Sequence, residues 1–294
     1  MTVQMGPNRY GKSGIRLAVV DRSLPTHQLT DLEIQVWLQG DYAAAHEQGD
    51  NSAVLPTDTM RGTCFALARD GIESVSDFGI RLARRFLDAS ASTTTATVTL
   101  VQFGWERVQV DGTGHPHSFR PAAGGGAVTG ITLDRGGQPV VSGGVRGARV
   151  LKTTGSAFSG FLQDEFTTLP QTRDRIMATT IDAWWGTRGP ECDHTSLAQA
   201  VPATMLAAFA RHDDSESVQH TMYTMGNAVL DAHEEITWIR FLLPNEHHIL
   251  SDLSPYGLDN PGVVFWVADR PFGVIEGTVA REGFTPHMVE GQTR

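Results

Sequence analysis

Cysteine is scarce in this sequence, which has only Cys64 and Cys192 among its 294 residues. Two thiols cannot form the disulfide framework of a small secreted domain, and such low use of cysteine is typical of a reducing compartment. The N-terminal stretch lacks the apolar core of a secretory signal, and the C-terminal stretch EGQTR lacks the Ser-Lys-Leu peroxisomal signal. These absences predict a cytoplasmic protein.

An excess of positive charge and long hydrophobic runs are also missing. The formal net charge is -10 at pH 7, which argues against a general affinity for nucleic acid or for an anionic membrane. No apolar run approaches the roughly 20 residues that a transmembrane helix needs. We therefore expect no nucleic acid or membrane partner, and an anionic ligand would need a local site of positive charge.

What remains is the composition of an ordinary globular protein, with 40% hydrophobic and 19% charged residues. A chain of this length can bury a large core without cross-links. Its length fits one large domain or two smaller ones.

The first half of the chain predicts the order strand, strand, helices, strand, strand. Its first two strands show the alternation of half-buried β-structure at Ile15, Leu17, Val19, Leu32, Ile34, Val36 and Leu38. A helix begins near Pro56, where Thr57 is suited to be an ordinary N-cap. A further helix carries one apolar stripe formed by Val75, Phe78, Leu82 and Phe86. Two strands are expected in TATVTLVQFGWERVQV and near AVTGITL, separated by a solvated loop that contains His115 and His117.

The second half repeats this order. Strands are expected in VVSGGVRGARVLKTT, IMATTIDAWW, ITWIRFLLPNEHHIL and GVVFWVADRPFGVIEGTVAR. Between them, two helices carry stripes formed by Leu197, Val201, Met205 and Phe209 and by Val218, Met222, Met225 and Val229. Pro202 is expected to disturb the first of these helices locally. The pattern predicts an α+β fold of two tandem ββααββ units, residues 1–138 and 139–294, each with an antiparallel sheet and helices on one face. Open sheet edges favour an oligomer.

The polar end of ITWIRFLLPNEHHIL raises the question of a metal site. Neighbouring side chains on a strand point to opposite faces, so His247 and His248 cannot easily bind one ion together. Asn245 shares a face with His247 but is a poor zinc ligand. The stretch HEEIT at His233 lacks the second histidine of the metalloprotease motif. We therefore predict no metal site. Phosphate-loop, dinucleotide and serine-hydrolase motifs are also missing.

Seven ordered stretches carry more information together than any single residue. They are YGKSGIRL, LPTDTMRGT, VLKTTGSAFSGFLQDEFTTL, TRDRIMAT, VQHTMYTMG, LPNEHHILSDL and DNPGVVFWVADRPFGVIEGT. This set resembles the urate oxidase (uricase) family across nearly the whole chain, least clearly at residues 105–140. The resemblance implies the tunnelling fold (T-fold) with two ββααββ units per chain. It also implies that two chains close a barrel and that two barrels stack into a homotetramer with active sites between subunits.

The same resemblance implies the reaction of urate with dioxygen and water to 5-hydroxyisourate and hydrogen peroxide, with no metal or organic cofactor. Lys12, Thr57 and His247 are the implied proton relay. The residues implied to bind urate or the co-substrate are Thr57, Asp58, Phe158, Arg175, Val218, Gln219 and Asn245, with Thr57 and Asp58 supplied by the neighbouring chain. Glu246 departs from the family pattern, in which this position has a basic residue. Its side chain is expected to point away from the ligand.

The chemistry of these residue types suits such a reaction. Arg175 offers a planar fork to a flat anion, and Gln219 offers both a donor and an acceptor to ring amides. Phe158 can stack on a purine without adding charge. A lysine can act as a base when burial favours its neutral form, and a histidine can pass the proton on.

Taken singly, Lys12, Thr57, Arg175 and Gln219 each have an ordinary structural explanation as solvated or capping residues. Two functional alternatives also stay open. One is another enzyme of the same fold that acts on a purine or pterin with zinc. Such an enzyme would need cysteine and histidine ligands at one site, but neither cysteine of this chain belongs to a cysteine cluster. The other is a non-catalytic purine-binding protein, which would not need the relay of Lys12, Thr57 and His247.

Overall fold

A computed structural model describes Val3 and residues 5–284 of the chain. The strands of this part are β1 (Arg9–Asp21), β2 (Gln28–Gly40), β3 (Thr93–Phe103), β4 (Trp105–Val110), β5 (Thr113–Pro121), β6 (Gly126–Asp134), β7 (Val140–Lys152), β8 (Met177–Thr187), β9 (Ile236–Leu250) and β10 (Phe265–Ala280). The helices are α1 (Ala43–Glu47), α2 (Thr57–Ala68), α3 (Val75–Ala89), α4 (His194–Arg211) and α5 (Val218–Ala232), with a 3-10 turn at Ser254–Tyr256.

The chain divides into two compact units. Within the described residues, the first unit contains the chain up to Gly144 together with Gly186–Ala198, and the second contains Val145–Trp185 and residues 199–284. The element order confirms two successive ββααββ patterns and the α+β class. The division into residues 1–138 and 139–294 stays a prediction.

The sheet of the first unit has the order β1-β2-β3-β6, and each of these neighbouring pairs is antiparallel. Helix α2 packs against β1, and α3 packs against β3 and β6. The predicted apolar stripe of α3 is confirmed, since Phe78, Leu82 and Phe86 are fully buried. They meet the inward residues of the strands in one hydrophobic core, which burial of apolar area stabilises.

A bulge in β1 keeps its inward face continuous. Lys12 pairs with Val36 and Ile15 pairs with Ile34, so one more residue lies on β1 than on β2 between these pairs. Gly14 takes up the extra length with φ 68°, a conformation that favours glycine. Because directly opposed residues share a face, Lys12 is on the same side of the sheet as the buried Val36.

Two predictions for residues 105–121 are wrong. WERVQV does not continue β3, and the residues after it do not form a solvated loop. The strand ends at Phe103, and β4 and β5 form a separate two-stranded antiparallel hairpin. His115 and His117 lie on β5 with their rings 4.5 Å apart, so their expected loop position is wrong. Arg107 donates a hydrogen bond to the carbonyl of Pro116 within the hairpin at 2.8 Å, and another to the distant carbonyl of His27 at 2.5 Å, which ties the hairpin to the segment between β1 and β2. Local periodicity does not report such contacts.

The second unit contains the strand order β7-β8-β9-β10, with β9 and β10 antiparallel. Helix α5 packs against both of these last strands. The predicted stripe of α4 is confirmed by the burial of Leu197, Val201, Met205 and Phe209. Helix α4 remains helical through Pro202, so the proline does not divide the element.

Two arginines make equivalent hydrogen bonds in the two ββααββ patterns. Arg135 and Arg281 each follow the last strand of their pattern and donate to carbonyls at and beyond the end of the preceding long helix. The acceptors have the same spacing in both cases, being Leu87, Ser90 and Thr93 for Arg135 and Leu230, His233 and Ile236 for Arg281. A cation near a helix C-terminus satisfies free carbonyls and complements the helix dipole.

We expect Arg135→Ala and Arg281→Ala each to lower the free energy of unfolding by about 1.5–3 kcal/mol, because charge-assisted hydrogen bonds to helix-end carbonyls are lost. Urea unfolding followed by circular dichroism measures this. Arg120→Ala is a matched control, since its ion pair with Glu106 is exposed at 66% and 47% of the two side chains. Such a surface pair contributes about 0–1 kcal/mol. Equal losses in all three variants would contradict the capping role.

Candidate active site

The long segment between β7 and β8 is folded against the chain that precedes α5. Ala157 donates its backbone N–H to the carbonyl of Ser215 at 2.7 Å, and Ser215 donates to Gly155 at 3.2 Å. A parallel bridge joins Ser156 and Ser215. The backbone around Phe158 is therefore fixed next to the beginning of α5.

The same segment brings Phe158 and Arg175 together. Phe158 and Thr172 exchange backbone hydrogen bonds at 2.8 and 3.0 Å, and Arg175 donates its backbone N–H to Ser156 at 2.8 Å. These bonds place the Arg175 Cζ 5.4 Å from the centre of the Phe158 ring. The guanidinium and the aromatic ring are thus fixed side by side by the backbone.

The Arg175 guanidinium has an unused hydrogen-bonding group. Its Nε is buried and has no hydrogen-bond partner within the described part of the chain. Burial lowers the pKa of Arg175 from its ordinary value, but arginine remains charged in proteins. A buried donor on a permanent cation without a partner is costly, so the site is suited to an anionic ligand that accepts this hydrogen bond.

Asp174, the residue before Arg175, fixes the chain that follows β7. Its carboxylate accepts hydrogen bonds from the Gly155 backbone N–H at 3.0 Å and from the Thr154 hydroxyl at 2.9 Å. Gly155 has φ 74°, and a Cβ there would lie 2.7 Å from the carbonyl oxygen of Asp213. Only glycine fits this position, which explains the glycine between β7 and Phe158.

Strand β9 supplies the polar residues that the sequence singles out. Asn245 pairs with Gly273 of β10, and His247 pairs with Ala268. His248 pairs with Val267, and its Nδ1 lies 3.1 Å from the carbonyl oxygen of Glu246. All the residues from Asn245 to His248 are half-buried.

A cavity of about 710 Å³ joins these parts of the second unit. Its lining contains Phe158, Arg175, Asn245 and His247, so four predicted site residues face one space. The apolar part of the wall is formed by Leu169, Pro170, Ile176, Ile249, Leu250, Pro261 and Phe265. A concave, largely apolar pocket with a few polar groups is the usual form of a small-molecule site.

The cavity does not separate the two histidines as strand alternation predicts. Glu246 and His248 also contribute to its lining, as do Ile249 and Leu250 after them. The carboxylate of Glu246 is directed to neighbouring strands, where it accepts hydrogen bonds from Thr180 and Arg149. The structure therefore distinguishes these residues by their partners and not by their contact with the cavity.

Val218 and Gln219 form the first turn of α5. Ser217 is the N-cap, and its side chain accepts a hydrogen bond from the backbone of His220 at 3.1 Å. Val218 is buried and Gln219 is exposed. Among the described residues, neither lines the cavity, but the bridge at Ser215 ties this helix start to the Phe158 segment. Free N–H groups of a helix start favour an anion nearby.

Lys12, Thr57 and Asp58 lie in the first unit. Lys12 is half-buried on the inward face of β1. On the same strand, the Tyr10 hydroxyl accepts a hydrogen bond from the Leu55 backbone at 2.8 Å. Burial, reinforced by interaction with Tyr42, raises the pKa of Tyr10 to about 12, so it is a neutral hydroxyl. This bond holds the start of α2 against β1.

Thr57 does not act as the predicted N-cap. Pro56 occupies that position, no side chain caps the helix, and Thr57 is the first helical residue. A hydroxyl at the first helical position cannot serve as the N-cap, which is the residue before it. The Thr57 side chain is therefore not needed for capping α2. Asp58 has a 75% exposed side chain, paired with Arg61 at 3.0 Å.

Among the described residues, no candidate is found for a metal-ligand cluster or for a membrane-spanning helix. No cluster of three or more histidine, cysteine, aspartate or glutamate side chains there is arranged to hold a metal ion. None of the helices described is both long and apolar enough to cross a bilayer.

Several residues that shape the site were not identified from the sequence. Tyr10 and Asp174 act through backbone contacts that no local pattern reports. Arg149 and Thr180 contact Glu246 from positions 97 and 66 residues away along the chain. A charged or polar residue on a strand gives no signal of such a distant partner.

Comparison with known proteins supports the resemblance along the chain. A family model described as Uricase matches residues 8–127 and 141–276. Uricase of Arthrobacter globiformis is 41% identical over 281 residues, which cover 96% of this chain and 91% of that protein. Uricase of Danio rerio is 33% identical over 278 residues, 93% of both chains.

Solved structures confirm the predicted T-fold. The crystal structure of uricase from Arthrobacter globiformis has a TM-score of 0.91 and 39% identity, over 98% of this chain and 99% of that chain. A crystal structure of a uricase from Bacillus fastidious has a TM-score of 0.79 at 20% identity, over 93% of both chains. At that lower identity the agreement shows a shared fold.

Proposed function

Because the chain belongs to the uricase family and is an oxidoreductase, we propose that it oxidises urate to 5-hydroxyisourate with no metal or organic cofactor. In this reaction urate, dioxygen and water give 5-hydroxyisourate and hydrogen peroxide. The observation that carries the proposal is the buried, unpartnered Nε of Arg175 beside Phe158 in one cavity. A flat purine anion would satisfy both groups.

Binding of urate follows from these two side chains. The guanidinium forms charge-assisted hydrogen bonds with an anion in a fixed planar geometry. The Phe158 ring stacks on the purine and excludes water from one face. The start of α5 supplies the Val218 backbone N–H and the Gln219 amide, which pair with ring oxygen and nitrogen atoms. Binding orients the ring but does not begin the oxidation.

The chemical step requires a more electron-rich ring. Dioxygen is a triplet and urate a singlet, so their direct combination is spin-forbidden. A urate dianion can transfer one electron to dioxygen and form a radical pair, which then recombines. Removal of a second proton from urate is therefore the task of the protein.

We assign that proton transfer to Lys12, Thr57 and His247. The Thr57 hydroxyl passes a proton from the substrate to the amine of Lys12, which acts as a general base. Asn245 holds dioxygen, and later water, above the ring through its amide. His247 passes the proton on and later orients the water that adds to the oxidised ring as peroxide leaves.

We further propose that active sites lie between subunits of a homotetramer, with Lys12, Thr57 and Asp58 of one chain facing Arg175 of another. The sheet edges support assembly. Strand β10 has one neighbouring strand in the described part of the chain, and it carries the exposed residues Trp266, Val267, Phe272 and Val274. An edge of this kind pairs readily with another chain. A cytoplasmic location is proposed from the sequence alone.

The function is tested by the stoichiometry of the reaction. Purified protein is mixed with urate in a closed oxygen-electrode cell, and urate, dioxygen and peroxide are measured together. We expect one dioxygen consumed and one peroxide released for each urate. Urate that binds without any oxygen uptake would favour a non-catalytic purine-binding protein.

The neighbouring histidines give a second prediction. We expect His247→Ala to lower kcat about 10²–10⁴-fold at saturating urate, because a group that transfers protons is lost. His248→Ala should change kcat little, because its ring nitrogen contacts the strand backbone. Steady-state kinetics of both folded variants measure the difference. Equal kinetic losses would remove the distinct role of His247.

A further inference from the structure

The carboxylate of Glu246 joins three neighbouring strands. Its Oε1 accepts a hydrogen bond from the Thr180 hydroxyl of β8 at 2.6 Å. Its Oε2 accepts a hydrogen bond from the Nε of Arg149 of β7 at 2.7 Å, and the Nη2 of the same guanidinium lies 2.6 Å from this oxygen in an ion pair. The Glu246 side chain is 20% exposed, whereas that of Arg149 is 65% exposed. The more protected part of this link is therefore the hydrogen bond from Thr180, which is partly buried.

The opposite side of Glu246 has no regular partner. Asn245 pairs with Gly273 and His247 with Ala268, so residues 269–272 of β10 stand opposite the single residue Glu246. The ladder is therefore interrupted at the position between the two predicted site residues. Glu246 therefore has no regular pairing partner on β10. On the other side, its side chain bonds to Thr180 of β8 and Arg149 of β7.

We propose that Glu246 is a positioning residue that sets the placement of Asn245 and His247. This inference rests on the proposed function, since it concerns the residues that hold dioxygen and orient water. The paired carboxylate fixes the backbone between them where the β10 ladder does not. Arg149 also neutralises the carboxylate, which matters because Glu246 borders a cavity suited to an anion.

Loss of this link should affect turnover more than capture of urate. Arg175 and Phe158 are held by their own backbone bonds in the segment between β7 and β8. We expect Glu246→Ala to lower kcat about 10- to 100-fold, the scale of a catalytic group misplaced by about 1 Å. KM for urate should change less than about threefold, because the clamp stays in place. Glu246→Gln keeps an acceptor for Thr180 and should recover part of kcat.

The Arg240–Glu276 ion pair offers a matched control. It also links β9 to a neighbouring strand, and it too has one more buried and one more exposed partner, since the Arg240 side chain is 14% exposed and that of Glu276 is 50% exposed. Glu276→Gln should leave kcat within about twofold of the unchanged protein, because Arg240 pairs with β10 well before the site residues. If Glu276→Gln lowers kcat as much as Glu246→Ala, the effect belongs to β9 as a whole and the proposal is wrong.

A second readout does not depend on urate oxidation. The histidine ring signals of ¹³C-labelled whole protein are recorded, and the His247 signal is identified by its loss in His247→Gln. Glu246→Ala should shift or broaden that signal, whereas Glu276→Gln should not. An unmoved His247 signal overturns the positioning role. Absence of urate oxidation in the unchanged protein overturns the proposed function instead, so the two failures are distinguished.

Discussion

A Lys12→Met chain is expected to bind urate nearly as well as the unchanged protein and to oxidise it about 10²–10⁴-fold more slowly, the usual contribution of a general base. Methionine keeps the length and apolar stem of lysine on the inward face of β1. It cannot accept a proton from Thr57, so the second deprotonation of urate loses its base. The expected loss is therefore in kcat.

Arg175→Ala provides the matched contrast in the same assay. It removes a charged bidentate partner, and we take the net loss as that of one charge-assisted hydrogen bond, about 1.5–3 kcal/mol. That is a loss of affinity of about 10- to 150-fold, which should appear mainly in KM. Equilibrium dialysis of urate without oxygen measures binding separately from turnover. If Lys12→Met kept full kcat and lost only affinity, the relay assignment would be wrong.

Mixed tetramers of these two variants are expected to regain activity that neither variant has alone. In a site built from two chains, a Lys12→Met chain contributes an intact clamp and an Arg175→Ala chain contributes an intact base. A mixed dimer therefore has one intact site and one doubly altered site. With random mixing about half of the dimers are mixed, so activity should approach about a quarter of the unchanged enzyme.

The experiment requires tetramers of verified composition. The two chains carry different affinity tags, are coexpressed, and are purified over both tags before oxygen uptake is measured. Tetramers of two differently tagged Lys12→Met chains are the control for the tagging and purification. Absence of recovery in verified mixed tetramers would mean that each site is built within one chain.

The sequence predicts the fold well where period and burial coincide. Ile34, Val36 and Leu38 alternate in sequence and are buried in β2, and the stripe of Phe78, Leu82 and Phe86 faces the same core. Because each of these elements buries one face, its apolar residues recur with the period of a strand or of a helix. The repeated Arg135 and Arg281 contacts could not be predicted, because they join residues far apart along the chain.

The hairpin of β4 and β5 shows where periodicity fails. Its residues are exposed or half-buried, so no apolar face marks the strands WERVQV and TGHPHSFRP. It is held by distant contacts, such as Trp105 Nε1 to the carboxylate of Asp31 at 3.0 Å. Glycine and proline in the sequence favour a loop interpretation, and tertiary contacts override it.

Four of the predicted site residues lie around one cavity, and the roles of all the predicted site residues stay predictions. Family resemblance identifies Phe158, Arg175, Asn245 and His247, and the structure places them around one cavity. Strand alternation alone expects Glu246 to face away. The residue borders the cavity, yet its carboxylate is directed to Arg149, a partner 97 residues away that no local pattern indicates.

Oxygen uptake by metal-free protein tests the central claim most directly. The enzyme is dialysed exhaustively against a chelator, its metal content is measured by mass spectrometry, and urate is added in a closed oxygen-electrode cell with chelator still present. We expect the full rate of oxygen consumption, with peroxide released in equal amount. A rate that disappears on chelation and returns only when a particular metal is added would contradict a cofactor-free oxidation of urate.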